Sequence, residues 1–105
     1  MRFQTESPVD YSLALSYCIL RLRLPGNRSL KGKRQVLRKI IERVKQKFNV
    51  SIAEIGENDS WQMAVVGIAV VSNDRRFCDS SLSTVVDFID KLYLAEIVDY
   101  SIRSL

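Results

Sequence analysis

Residues 29–48 read SLKGKRQVLRKIIERVKQKF, and the rest of the chain is organised around this stretch. On a helical wheel of about 100° per residue, its apolar side chains fall within one arc about 100° wide. These side chains are Leu30, Leu37, Ile40, Ile41, Val44 and Phe48. The spacing predicts an amphipathic helix whose apolar arc faces a core.

The opposite side of this predicted helix is cationic. Four basic side chains share about 60° of the wheel, and they are Lys31, Arg34, Arg38 and Lys45. Glu42 is the one acidic residue among them. Ser29 is a suitable N-cap, because its hydroxyl accepts a hydrogen bond from an amide of the first turn. Gly32 takes the place of a capping-box glutamate, so we expect a less firmly closed helix start.

Positive charge is concentrated in one part of the chain. Residues 28–47 hold nine basic side chains and one acidic one, whereas the remainder holds seven basic and eleven acidic side chains, and the total is +4. This segregation favours a polyanionic partner docking on one face. The candidate nucleic-acid contacts are Arg28, Lys31, Lys33, Arg34, Arg38 and Lys45, with Ser29 as a candidate anion-binding residue at the helix start. The alternative is that these side chains are solvated and serve only solubility.

Length and composition indicate one globular domain. A chain of 105 residues supports one modest core. We expect a flexible N-terminal tail at residues 1–12 and a single domain over residues 13–105. No run approaches the about 20 apolar residues that a membrane span needs, and the first residues do not resemble a secretory signal. These features predict a cytoplasmic protein with no membrane partner.

The residue types narrow the chemistry that we expect. The chain has no histidine, so catalytic triads and zinc sites that use imidazole are excluded. Cys18 and Cys78 are far apart in sequence and have no metal-ligand spacing, and they are interpreted as buried thiols. We therefore expect no metal, no cofactor and no enzymatic activity.

The remaining pattern predicts four strands and a second helix. The predicted strands cover residues 14–24, 50–55, 61–71 and 95–105. Asn49 is interpreted as a left-handed stop after the basic helix. N-cap candidates at residues 72–74 begin the second helix. Its apolar positions at helical spacing are Phe77, Leu82, Val85, Val86, Ile89 and Leu92.

The predicted order of strand, helix, strand, strand, helix, strand favours an α+β, ferredoxin-like sandwich. Two split βαβ units then place both helices on one face of a four-stranded antiparallel sheet. The other face is left with an apolar patch that a monomer does not usually expose to water. Its predicted interface residues are Tyr17, Ile19, Met63, Val65 and Val71. We expect this face to be covered by a second copy in a homodimer or by a partner protein. The alternative is that the tail or a long side chain such as Arg21 lies over part of it.

Three blocks of sequence resemble the YlxP-like family of bacterial proteins. They are LPG at 24–26 followed by SLK at 29–31 and KR at 33–34, FNVS at 48–51 with AE at 53–54, and WQ at 61–62 with VSND at 71–74. The resemblance covers residues 15–102. It implies a ferredoxin-like fold and a setting in translation, because members are commonly encoded beside an initiation factor and a small-subunit assembly factor. It implies no established activity.

Three classes of function follow from these features. The leading hypothesis is a non-catalytic RNA-binding or ribosome-associated module, with RNA or a ribosomal subunit as the partner of the basic helix. The second is a homo-oligomeric adaptor or regulatory domain that works through the apolar sheet face. The third is a phosphate-ester or acyl-phosphate hydrolase, which the absence of an acylphosphatase-type run disfavours. Trp61 is interpreted as an edge-packing anchor rather than as a stacking platform.

Overall fold

Six elements follow one another in the predicted order. The computed structural model describes residues 11–105, so most of the expected tail at residues 1–12 lies outside the described residues. The elements are β1 (Ala14–Arg23), α1 (Leu30–Lys47), β2 (Ser51–Gly56), β3 (Met63–Ser72), α2 (Arg75–Asp90) and β4 (Glu96–Ser104). Neither α1 nor α2 is long and apolar enough to cross a membrane.

The four strands form one antiparallel sheet in the order β2-β3-β1-β4. β1 and β3 lie at its centre and pair over ten residues, from Ala14 opposite Ser72 to Arg23 opposite Met63. β2 and β4 are the edge strands. This arrangement confirms the predicted ferredoxin-like fold.

The core lies between the helices and one face of the sheet, because alternate residues of β1 and β3 point to that face. Opposite pairs such as Leu20 and Val66 are fully buried there. The buried residues of the helices are Leu37, Ile40 and Val44 of α1 and Cys78, Leu82, Val85, Val86 and Ile89 of α2. Phe77 shares the helical spacing of the apolar positions of α2 but is exposed, whereas its neighbour Cys78 is buried.

The ends of α1 differ in how well the sequence predicts them. Ser29 is the N-cap, as predicted, and its hydroxyl accepts a hydrogen bond of 2.9 Å from the amide of Gly32. The prediction of a left-handed stop at Asn49 is wrong. The chain leaves the helix in an extended conformation at Phe48, and Asn49 is not among the residues with positive φ.

Both cysteines are buried as free thiols, as predicted. Burial raises the pKa of the Cys18 thiol to about 11. The thiol therefore stays protonated at neutral pH and is a poor nucleophile.

A carboxylate on α2 links that helix to two strands. Asp79 accepts hydrogen bonds from the hydroxyls of Ser16 on β1, at 2.7 Å, and Ser104 on β4, at 3.0 Å. The hydrogen bonds from Ser16 and Ser104 lower the pKa of Asp79. A lowered pKa means that its contribution to stability is present above the unfolded value of about 3.9 and is lost as the pH falls through the folded pKa.

We expect Asp79→Asn to lower stability at neutral pH and to weaken the loss of stability on acidification below about pH 4. The measurement is urea denaturation at several pH values. Asp87→Asn, at an exposed site on the same helix, is the control for the loss of one carboxylate from α2. An identical acid dependence in the Asp79 variant and the wild type would contradict this role.

Candidate functional site

Five of the six predicted nucleic-acid contacts lie on the solvent side of α1 and at its start. These exposed residues, which we call the basic face, are Arg28, Lys31, Arg34, Arg38 and Lys45. The helical part from Lys31 to Lys45 is about 21 Å long at 1.5 Å per residue. Among residues 11–105, the ion pairs are Arg21–Asp99, Arg23–Glu96 and Lys33–Glu54, so none involves the basic face.

The sixth predicted contact, Lys33, is not on this surface. Its side chain is 1% exposed, and its ammonium group donates hydrogen bonds to the carbonyl oxygens of Glu57, at 2.7 Å, and Met63, at 3.1 Å. Glu54 Oε2 lies 3.2 Å from Lys33 Nζ. Lys33 therefore joins α1 to β2 and to the β2–β3 loop, and the prediction that it contacts nucleic acid is corrected.

The start of α1 is fixed to the same loop by a second side chain. Asn27 Nδ2 donates to the carbonyl oxygens of Ser29, at 2.8 Å, and Trp61, at 2.6 Å. A Cβ atom at Gly32 would collide with Asn27 Oδ1. The absence of a side chain at Gly32 thus leaves the room that Asn27 occupies, and Asn27 supports a helix start that was expected to be loosely closed. The Ser29 hydroxyl, a predicted anion ligand, is engaged as the cap.

Trp61 is placed beside this helix start, and 55% of its surface is exposed. The prediction of an edge-packing anchor does not describe an indole with this exposure. An exposed aromatic side chain on a loop that contacts the helix start is suited to stacking on a base.

A groove of about 450 Å³ runs between α1 and the edge strand β2. It is lined by Arg34, Leu37, Arg38, Ile41, Glu42, Lys45 and Glu54. Three of these residues belong to the basic face. Glu54 stands on the helix side of β2, since its partner across the sheet is the buried Val66.

The predicted interface residues lie together on the sheet face away from the helices, which we call the open sheet face. Val71 is 61% exposed, whereas Tyr17, Ile19, Met63 and Val65 are half-buried by their neighbours. A shallow depression of about 250 Å³ on this side is lined by Tyr17, Ile19 and residues of β2 and β3. Ile55 packs across Gly67, where a Cβ atom would lie 3.2 Å from it.

Ion pairs border the open sheet face along β4. Arg21 Nε and Nη2 donate to the two carboxylate oxygens of Asp99 at 2.8 and 2.7 Å, and Arg23 donates to Glu96. The hydrogen bond from Arg21 lowers the pKa of Asp99. Because Arg21 is paired toward β4, the apolar part of the face is confined to β1, β2 and β3.

A protein-family model described as "Protein of unknown function (DUF503)" matches residues 15–102. The chain belongs to this family. A DUF503 relative from Bacillus subtilis (strain 168), described as "Uncharacterized protein YlxP", is 53% identical over 62 residues, which cover 59% of this chain and 67% of the relative. The fold of this chain also resembles the solved structure "De novo designed protein Foldit4", with a TM-score of 0.52, 16% identity and coverage of 90% of this chain and 97% of that chain. The last likeness concerns the fold alone.

Proposed function

We propose that this protein is a non-catalytic RNA-binding module of the translation machinery, and that the basic face of α1 is its RNA contact surface. The observation that carries the proposal is a row of exposed cationic side chains with no ion-pair partner among residues 11–105. Unpaired surface cations neutralise phosphates and release condensed counterions, which drives RNA binding.

Two further features support the proposal. Arg28 and Lys31 place positive charge at the N-terminal end of α1, where the helix dipole is also positive. This arrangement forgoes local stability, and an anionic partner would restore it. Trp61 is exposed, Asn27 holds its backbone to the same end, and its side chain offers a stacking surface.

The test is filter binding to a 16S-type RNA at several salt concentrations. If the basic face contacts about four phosphates of a single RNA strand, the logarithm of the association constant should fall with the logarithm of the salt concentration at a slope of about −3. The proposal would be contradicted if the protein did not bind the RNA at about 50 mM salt, or if its affinity did not depend on the salt concentration.

A second candidate function is a homo-oligomeric adaptor that works through the open sheet face. It is favoured by the contiguous apolar surface of Tyr17, Ile19, Val65 and Val71, which the helices do not cover. Paired charges border this surface along β4 and do not cross it. A second copy of the chain would bury the patch.

We expect Val65→Lys to raise the dissociation constant of such a dimer at least about tenfold, because an unpaired charge would be buried at the interface. The measurement is sedimentation equilibrium at micromolar concentration. Lys31→Glu, on the opposite side of the molecule, is the control and should leave the dissociation constant unchanged. A wild-type protein that sediments only as a monomer would exclude this adaptor function.

A further inference from the structure

We propose that the groove between α1 and β2 holds one unpaired base of the bound RNA, and that Glu54 selects a base with an exocyclic amino group over uracil. The inference rests on the proposed function, because it assigns a specificity to the same RNA surface. The inference goes beyond the proposed function because it concerns recognition of a base, whereas the proposed function concerns contacts to phosphates.

The groove has the size and lining of a base-binding site. Its volume of about 450 Å³ falls within the range of about 300–1,000 Å³ of small-molecule sites. Leu37 and Ile41 supply apolar surface, and Arg34 and Arg38 bring guanidinium groups to the same groove. Unstacked RNA bases pack on apolar surface and on guanidinium planes in this way.

The charges of the groove fit a nucleotide rather than a neutral ligand. Arg34, Arg38 and Lys45 line it, and none of them pairs with a carboxylate among residues 11–105. The cations can neutralise the phosphates on either side of a base that enters the groove. The strand would then follow α1, with its backbone on the basic face.

Glu54 has unused capacity to accept hydrogen bonds. Its Oε2 is buried against the ammonium group of Lys33, 3.2 Å away, so the oxygen that a base in the groove can reach is Oε1, which is not among the buried atoms and takes no part in that ion pair. About a quarter of the side chain is exposed, and it lines the groove. Lys33 is itself 1% exposed and fixes the position of this carboxylate from the interior.

The chemistry of a carboxylate predicts which bases it admits. An ionised carboxylate only accepts hydrogen bonds. Cytosine, adenine and guanine each carry an amino group that donates, and the pairing of Glu with the amino group of cytosine is an established mode of base readout. Uracil has a carbonyl oxygen where cytosine has its amino group, so a carboxylate that faces this position accepts from cytosine and repels the carbonyl of uracil, whose remaining donor is its N3–H.

Replacing Glu54 with glutamine should reverse this preference between cytosine and uracil. The ammonium group of Lys33 has only donors, so it draws the amide oxygen of the glutamine toward itself. The amide NH₂ group is then presented to the groove as a donor. A donor at this position suits the carbonyl of uracil and opposes the amino group of cytosine.

The experiment compares oligo(rC) and oligo(rU) of equal length at neutral pH by fluorescence anisotropy. The phosphates of the two oligonucleotides are the same, so the ratio of affinities isolates the base. We expect the wild type to favour oligo(rC) at least about tenfold, the lower end of the effect of one charge-assisted hydrogen bond. In E54Q this preference should disappear and a preference for oligo(rU) should replace it.

The matched control is E42Q, which removes a carboxylate from the rim of the same groove. It should strengthen binding of both oligonucleotides equally and keep the wild-type ratio. If E54Q binds the two oligonucleotides with equal affinity, Glu54 is still identified as the hydrogen-bond acceptor, because only the selective contact is lost. Thermal denaturation of E54Q checks its folding, and the ratio does not depend on the fraction of active protein.

Four results overturn the inference, and they separate it from the proposed function. A wild-type ratio near one, or an unchanged ratio in E54Q, with RNA binding intact, overturns the base site alone. Failure of both oligonucleotides and of the 16S-type RNA to bind overturns the proposed function as well. Tighter binding of oligoglutamate than of oligo(rC) assigns the groove to an acidic protein segment instead.

Discussion

Lys33→Ala is expected to lower the free energy of unfolding by about 3 kcal/mol, the lower end of the range for breaking a buried ion pair by removing one partner. The lower end applies because Glu54 is partly exposed, so water can solvate part of its unpaired charge. The carbonyl oxygens of Glu57 and Met63 also lose their donor. In a domain of this size the loss corresponds to a fall in Tm of roughly 10–25 °C.

The measurement is thermal and urea denaturation, with Lys45→Ala as the matched control on the exposed side of the same helix. That control should change stability by no more than about 0.5 kcal/mol. The double variant Lys33→Met with Glu54→Leu should recover most of the loss, because replacing both partners of a buried ion pair by apolar residues is often neutral. Equal stabilities of Lys33→Ala and Lys45→Ala would show that the buried position contributes nothing.

The combined variant Lys31→Glu, Arg34→Glu and Arg38→Glu is expected to weaken binding of a 16S-type RNA about a hundredfold at about 0.1 M salt. Each phosphate contact to a single strand contributes about 0.7 to the slope, and so about fivefold in affinity at this salt concentration. The slope should accordingly fall from about −3 to about −1. The three side chains are exposed, and a glutamate in the first turn at position 31 suits the helix dipole, so the fold should be retained.

The control for this variant reverses three exposed charges on and beside α2, at Arg75, Arg76 and Lys91. It changes the net charge by the same amount as the α1 variant. If the basic face is the contact surface, the α2 variant should keep most of the wild-type affinity. An equal loss in both variants would mean that RNA responds to the net charge of the protein and not to the face of α1.

Local patterns were sufficient to predict the fold. The alternation in β1 and β3, the apolar arc of α1 and the order of elements together allowed few topologies, and the sheet order agrees with the prediction. The start of α2 departs from the helical spacing of its apolar residues. Phe77 belongs to that spacing but is exposed, whereas Cys78, which the sequence predicts to be a buried thiol, is in the core.

The structure of the site was harder to predict because it depends on contacts between distant residues. Lys33 was grouped with the surface cations by its charge. On a helical wheel with Lys31 at 0°, however, Lys33 lies at about 200°, between Ile40 and Val44. That position was the signal for its burial. The pairing of Lys33 with Glu54, and of Asn27 with the Trp61 carbonyl, gives no local pattern, since each joins segments more than 20 residues apart. The groove beside Glu54 follows from those pairings.

The position of Trp61 gives the protein an internal optical probe. It is the one tryptophan of the chain, it is more than half exposed, and its backbone is held against the start of α1 by Asn27. Its emission therefore originates from a single place, the loop that Asn27 holds to the start of α1. A nucleotide that stacks on the indole will quench this emission. Titrations of the unlabelled protein can thus report stacking at this loop directly.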